Sequence, residues 1–454
     1  MTKKLLALVL MATAVLSFSS CLNSDEDEIT YYDDTAVTAF SVSTIYRYVH
    51  TTGSTGADST YKVTQSTTAY PFYIDQENRT IYNPDSLPAG TDASRVLCTI
   101  STKNSGTAVL NLRNRQGGDS LVYYQSTDTI DFSNPVRLRV YNTTGQAYRE
   151  YTIKINVHQQ DGDAFNWSAA NVNALAGMTG RKMVAVGSNM YLLGLQGGAT
   201  AVYRLDGTSW QSTGATLDQN AYLSATALGG YLYTLNNGNV VRSADGSTWE
   251  TTGTNSSIKQ LVGASASKLY ALTDNGLAWS EDGGQTWTDD RLDAAADSLP
   301  NSNISFACMP SAANDGVYNL VMVGTRDGKT LIWTKVEEPD GATQQQPWLF
   351  YPTDDYNTHT LPALANLHVV VYDGQLLATG GDFTTVYASA DEGLTWLPTT
   401  TYALPAWEGR SAVPFAWACS NDNTMLFSPS GSTTVYSAKL ARLSWQKPQT
   451  IFTE

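Results

Sequence analysis

The most regular chemistry in the chain is a short acidic string. SEDGGQTW occupies Ser280 to Trp287, SADEGLTW occupies Ser389 to Trp396, and SADGSTW, Ser243 to Trp249, is one residue shorter. A carboxylate close to a hydroxyl and an indole could serve as a general acid or base beside a sugar ring. The same residues could instead build a turn. An aspartate accepts hydrogen bonds from its own turn's backbone N–H groups, a glycine takes positive φ without strain, and a tryptophan buries a large surface. Choosing between a repeated active site and a repeated turn requires the elements that carry the string.

Those elements recur with a long period. The tryptophans that close each copy align as YRLDGTSW (Trp210), VRSADGSTW (Trp249), AWSEDGGQTW (Trp287) and YASADEGLTW (Trp396). Two weaker members fit by position, LIWTKVEEPDGATQQQPW (Trp348) and VYSAKLARLSW (Trp445). The spacings from Trp210 onward are 39, 38, 61, 48 and 49 residues. Apolar strands precede each turn, as in YLYTLNNGNVVRS, KLYALTDNGLAWS and QLLATGGDFTTVYAS. Strand, hairpin, strand, turn and strand in roughly forty residues make one four-stranded blade of a β-propeller. Six such units predict six blades. Trp167, in FNWS, fits the start of a seventh outer strand that helps close the ring, so seven blades are the alternative.

The pattern S-x-D-x-G-x-T-W resembles the Asp-box of sialidase-like propellers. Ser280, Asp282, Gly284 and Trp287 match it at every defined position, as do Ser389, Asp391, Gly393 and Trp396. Ser243, Asp245, Gly246 and Trp249 keep it with one residue lost, and RLDGTSW keeps Asp206, Gly207 and Trp210. The resemblance implies that the string joins the third and fourth strands of a blade, away from the usual ligand face. Asp245, Asp282 and Asp391 are then structural, and no catalytic residue is assigned.

An enzyme is the weaker expectation. A sialidase-like site needs three arginines on a carboxylate, a tyrosine nucleophile with its glutamate, and an aspartic acid/base. The Arg-Ile-Pro segment that usually announces it does not occur. Of seven propeller arginines, Arg204, Arg242 and Arg442 lie at or beside the repeated turns, leaving Arg181, Arg291, Arg326 and Arg410. Xyloglucan hydrolases place catalytic aspartates between two propellers, and this chain has room for one.

The loops that enter each innermost strand lie at the end of the ring opposite the repeated turns. Three are long, covering residues 288–303, 349–366 and 397–412. Together they bring Tyr351, Asp354, Asp355, Tyr356, Trp407, Glu408 and Arg410 toward one end of the ring. Aromatic faces beside carboxylates and a guanidinium suit stacking on sugar rings and hydrogen bonding of hydroxyls.

The rest of the chain supplies an address and a second domain. Hydrophobic residues make up 42% and charged residues only 15% of 454, with 26 tyrosines and 11 tryptophans, which favours an all-β extracytoplasmic protein. Residues 1–20 read as an export signal, with Lys3 and Lys4, an apolar run from Leu5 to Phe18, and Ser19-Ser20 before Cys21. That junction resembles a bacterial lipobox, with Phe18 departing from the usual leucine, and implies lipidation of Cys21. LNSDEDE, Leu22 to Glu28, lies in an acidic tether over 21–36 that has too little apolar area to fold. It resembles the surface-export signal of Bacteroidetes lipoproteins. That implies an outer-membrane, lipid-anchored protein at the cell surface, the periplasmic face being the alternative.

Residues 37–158 read as short alternating strands such as TAFSVSTIYRY, STYKVTQ, YPFYIDQ and RVLCTIST. The stretch Val136 to Val157 reads as a hairpin, and the whole suggests a small immunoglobulin-like β-sandwich. A hydrophilic linker over 159–165 leads to the propeller, 166–454. Asp161 and Asp163 lack the further carboxylates a calcium loop needs. Losing residues 1–20 takes the formal charge from −15 to −17, which argues against nucleic acid as a partner. Cys98, Cys308 and Cys419 read as buried free thiols, with one disulfide as the alternative. His50, His158, His359 and His368 show no metal-ligand spacing, so neither metal nor cofactor is expected.

At the scale of the whole chain, IYNPDSLPAGTDAS (Ile81 to Ser94) and the run from Asp128 to Trp167 resemble a group of Bacteroidetes lipoproteins carrying a domain of unknown function. The resemblance implies fold and address but no activity. The expected protein is a monomer, tied to the membrane only through Cys21. Its ligand is a glycan or glycoprotein. A protein-binding scaffold of an outer-membrane assembly and a divergent sialidase-like glycoside hydrolase are the rivals.

Overall fold

The computed structural model describes residues 30–52, 58–113, 118–339, 345–351, 357–407 and 412–445. The expected export signal, Cys21 and the acidic run to Glu28 lie outside them, as do Asp354, Asp355, Tyr356, Glu408 and Arg410. The chain divides into two compact units, one ending at Asp161 and the other spanning Gly162–Gln446. Strands dominate both, and the helical turns among the described residues are short 3₁₀ pieces. No helix among the described residues is long and apolar enough to cross a membrane.

The first unit is a two-sheet β-sandwich. One sheet has the order Asp58–Thr64, Val37–Thr52, Thr91–Thr102. The other runs Tyr73–Asp75, Thr80–Tyr82, Tyr148–Lys154, Val136–Tyr141, Thr107–Arg113, Asp119–Tyr123. Alternation sets the facing: Val136, Leu138 and Val140 point into the core, while Arg137 is exposed. Phe40, Val42, Ile45, Cys98 and Ile100 from the first sheet meet Leu110, Leu138, Tyr151 and Ile153 from the second. The predicted hairpin turns at Asn142, whose Oδ1 accepts from Gln146 N (3.1 Å) and Ala147 N (3.2 Å).

Among the described residues, the second unit is a ring of six four-stranded sheets. Their innermost strands are Arg181–Val186, Thr226–Leu228, Ile258–Ala264, Ser302–Pro310, His368–Tyr372 and Phe415–Cys419, numbered here as blades 1 to 6. Each innermost strand packs against the next, and that of blade 6 returns to that of blade 1. Second strands such as NMYLLGLQ and YNLVMVGTR are buried over most of their length. Lying between neighbouring blades, they need apolar side chains on both faces and therefore do not alternate. Six apolar clusters fill the gaps between blades, one of them joining Met183, Leu192 and Trp210 of blade 1 to Ala416, Leu426 and Val435 of blade 6.

Ring closure differs in one respect from the expected alignment. The strand Ser168–Asn171 pairs antiparallel with Thr434–Ala438 and is the outermost strand of blade 6, so the segment after Trp167 completes the sixth blade. Trp167 therefore takes the place just before an outer strand that the alignment gave to Trp445, which instead follows the 3₁₀ turn Ala441–Ser444. Leu440 bridges to Phe165, and Arg442 pairs with Asp163 and Asp373, binding the two ends of the ring. Cys98, Cys308 and Cys419 are free thiols, pushed up by burial to about 12, about 11 and about 11.

Candidate functional site

In blades 2, 3 and 5 the repeated string lies between the third and fourth strands. In blade 3, Asp282 Oδ1 accepts from Ser280 Oγ (2.8 Å), Gln285 N (2.9 Å) and Thr286 N (2.9 Å), and Oδ2 accepts from Thr286 Oγ1 (2.6 Å). Asp391 accepts from Ser389 Oγ, Thr395 N and Thr395 Oγ1 in the same way, and Asp245 from Ser243 Oγ, Ser247 N and Thr248 N. Burial would raise the Asp282 carboxyl, but bonds from Thr286, Ser280 and Gln285 outweigh it and bring the group to about 2. The indole N–H groups of Trp249, Trp287 and Trp396 donate to the carbonyls of Gly246, Gly284 and Gly393 at 3.1, 3.0 and 2.9 Å. In blade 1 the near copy is a tight hairpin, with Asp206 opposite Ser209.

These turns also press on the preceding blade. Gly284 has φ 94°, and a Cβ there would lie 2.7 Å from Cγ1 of Val240, so glycine is required twice over. Thr213 Oγ1 of blade 1 donates to Gly246 O (2.8 Å), and Thr252 Oγ1 of blade 2 donates to Gly283 O (2.7 Å). The aspartates are occupied by their own turns.

Blade 4 carries no such string and closes differently. Its tryptophan, Trp348, donates Nε1–H to Asp290 Oδ2 (2.9 Å), and Lys335 Nζ donates to both Asp290 oxygens at 2.7 and 2.6 Å. Both members of the ion pair are buried, with side-chain exposures of 4% and 7%. Beside them the Tyr270 hydroxyl donates to the buried Glu337 carboxylate, and burial together with that carboxylate pushes the phenol up. The repeat spacing marked Trp348 alone; its charged partners Asp290 and Lys335 carry no pattern in the sequence.

Strands alternate in direction, so the loops entering each innermost strand lie at the end of the ring opposite the repeated turns. Of the seven residues expected there, Tyr351 and Trp407 are described. Tyr351 ends the outer strand of blade 4 and packs, half-buried, with Val321, Ile332 and Trp396. Trp407 is half-buried against Phe383 (5.2 Å between ring centres), Phe427 (5.2 Å) and Tyr436 (6.4 Å). The two rings belong to different interblade clusters. Arg181 is buried and donates to Ser428 Oγ and Ser432 O (2.5 Å each), so it ties blade 1 to blade 6. Several acids at this end are likewise engaged: Asp218 with Asn220 N and Asn237 N, Asp293 with Phe350 N, and Asp274 with Lys259.

The residues that do converge are on innermost strands. Lys182 of blade 1 and Gln260 of blade 3 both donate to Leu223 O, each at 3.1 Å. His368, the first residue of the innermost strand of blade 5, is half-buried, with its ring 5.5 Å from Phe415. Burial pushes Lys182 down to about 8, and burial with the Lys182 charge holds His368 near 3. Leu223 enters the innermost strand of blade 2, so Lys182 and Gln260 meet beside it from the two flanking blades, and the Lys182 charge is felt at His368 of blade 5. Sequence reading missed this group because its members lie far apart and each looks ordinary in its own strand.

Residues 161–448 match the family described as the DUF6242 beta propeller domain, and residues 40–155 match the DUF6242 N-terminal domain, a domain of unknown function. The chain belongs to the DUF6242 family. No curated protein matches it. Solved structures similar to this DUF6242 chain include an inactive virginiamycin B lyase from Staphylococcus aureus with quinupristin (11% identity, 61% of this chain and 99% of that one, TM-score 0.34). A Trichoderma reesei protein of carbohydrate-active family AA12 shares 14% identity over 60% of this chain and 95% of its own, with TM-score 0.35. A GH93 α-L-arabinofuranosidase of Fusarium graminearum shares 11% over 74% and 93%, with TM-score 0.27. These likenesses carry nothing about the chemistry of the DUF6242 propeller.

Chemically, this DUF6242 propeller offers an ammonium, an amide and a neutral imidazole around its axis, with aromatic rings nearby. That set can bind and orient a polar molecule.

Proposed function

We propose that the chain is a surface lipoprotein whose propeller captures a glycan or glycoprotein without cleaving it. In this reading Cys21 carries the lipid, the Asp-box turns hold the blades, and the immunoglobulin-like sandwich is a spacer. The ligand meets the end of the ring opposite the Asp-boxes. The observation that carries the reading is the division of polar groups between the two ends. Asp245, Asp282 and Asp391 are saturated by their own turns, while Lys182, Gln260 and His368 gather around the axis at the other end. Most glycoside hydrolases work with two carboxyl groups flanking the scissile bond, and sialidase-like ones with a tyrosine and carboxyl groups beside it. The group at the axis has none among its three members and is suited to holding a ligand.

A glycan array probed with the chain from Thr30 onward tests this. Retention of a defined subset of glycans is expected, with binding by Gln260→Ala weakened about tenfold. No retained glycan, or binding unchanged in both Gln260→Ala and Trp407→Ala, would overturn it.

A further inference from the structure

The described propeller lysines that are not exposed divide into two kinds. Lys335 is buried and paired with Asp290 at 2.6 Å. Lys268, with a side-chain exposure of 7%, faces Glu281 at 3.3 Å, and half-buried Lys439 faces Asp422 at 3.8 Å. Lys182 is half-buried as well, yet among the described residues its one hydrogen-bond partner is a neutral carbonyl, Leu223 O. That carbonyl is already shared with Gln260 Nε2. An ammonium has three N–H donors, and a partly desolvated cation gains from an anion placed within reach.

The neighbours of Lys182 point the same way. Gln260 directs its amide nitrogen to Leu223 O, which leaves its carbonyl oxygen for a hydroxyl. Among the described residues the His368 ring accepts and donates no hydrogen bond, and as a neutral imidazole it offers one N–H and one lone pair. Arg181, next in sequence, is buried and turns its two terminal guanidinium nitrogens to Ser428, Ser432, Leu175 and Met178. The chain as a whole carries a net charge of −15, so a lone ammonium at the axis is a local attractive point in a repulsive field.

We infer that the ring axis binds an oxyanion of the ligand, with Lys182 as the cation and Gln260 and His368 as neutral hydrogen-bonding partners on the groups beside it. The inference rests on the proposed binding role of this end of the ring and narrows its ligand to an acidic one. A sugar carboxylate and a phosphate ester present the same chemistry to Lys182, and the test separates them.

The chain from Thr30 onward is titrated calorimetrically with glucuronate, with inorganic phosphate and with glucose. The expected result is binding of glucuronate or phosphate at least about tenfold tighter than glucose, lost about tenfold in Lys182→Met and kept within about threefold in Lys182→Arg. Binding of glucuronate alone identifies an acidic sugar as the source, and binding of phosphate alone identifies a phosphorylated ligand. Thermal melting of both variants within the parent's range separates loss of the site from loss of the fold. Two results overturn the inference: no affinity for either anion, or unchanged anion binding by a folded Lys182→Met protein. If neutral glycans are still retained on the array in that case, the broader binding role stands and only the anionic ligand falls.

Discussion

Blades 3 and 4 solve one problem in two ways. Each packs an indole beside its outer strand, Trp348 buried and Trp287 partly so, and an indole N–H taken from water is best given an acceptor. In blade 3 the acceptor is Gly284 O, three residues before Trp287, and the turn that presents it is organised by Asp282. In blade 4 the acceptor is the carboxylate of Asp290, which lies 58 residues from Trp348 and is also held by Lys335 Nζ. The first solution is local and sits near water. The second is long-range and buried, and it joins two blades through a charge. Losing one member of the second should therefore cost far more than losing one member of the first.

Lys335→Met gives the largest expected effect. It leaves the Asp290 carboxylate buried with no counter-charge, which costs about 3–5 kcal/mol. Urea unfolding followed by tryptophan fluorescence measures it. Lys335→Met combined with Asp290→Leu should recover most of the loss. A residue of about 1–2 kcal/mol should remain because the Trp348 N–H then lacks its acceptor. A single variant as stable as the parent would mean that blade 4 is closed by its apolar contacts and that the ion pair is incidental.

The same contrast explains what could be read from the residues alone. SEDGGQTW was legible because every partner of Asp282 lies within four residues of it, so the string contains its own structure. The second strands of the blades were legible because burial on both faces leaves continuous apolar runs. Trp445 was misplaced because closure draws the outer strand of blade 6 from Ser168–Asn171, at the far end of the domain's sequence. Trp348 was found by its spacing, but Asp290 and Lys335 gave no signal, since a buried ion pair between blades leaves no spacing to detect. Lys182, Gln260 and His368 were hidden for the same reason, each being one polar residue in an otherwise unremarkable strand. Local hydrogen bonding writes itself into sequence, and convergence around an axis does not.

Asp282→Ala is the intermediate case, with an expected loss of about 1–2 kcal/mol from the freed Gln285 and Thr286 N–H groups. Its pH dependence has a definite sign. The folded carboxyl titrates at about 2 against an ordinary aspartate value of 3.8. The folded state therefore binds its proton less readily than the unfolded state does. The stabilisation is complete above the ordinary value and disappears as pH falls toward about 2. Urea midpoints of parent and Asp282→Ala should converge over that interval and stay parallel above it. Parallel midpoints down to the lowest pH would show that the turn is held by Ser280 and Gly284 without its carboxylate.

The smallest effect tests the seam between blades. Thr252 of blade 2 reaches across to Gly283 O in the turn of blade 3, a single neutral hydrogen bond at 2.7 Å. Thr252→Val keeps the shape and removes the hydroxyl, for an expected loss of about 0.5–1.5 kcal/mol. Combined with Asp282→Ala it should cost less than the sum of the two, because a turn without its aspartate no longer holds Gly283 O where Thr252 needs it. Strict additivity in that double-mutant cycle would mean that the turn and the seam are independent. The blades would then be coupled through Gly284 on Val240 and the apolar clusters, with no help from the threonine.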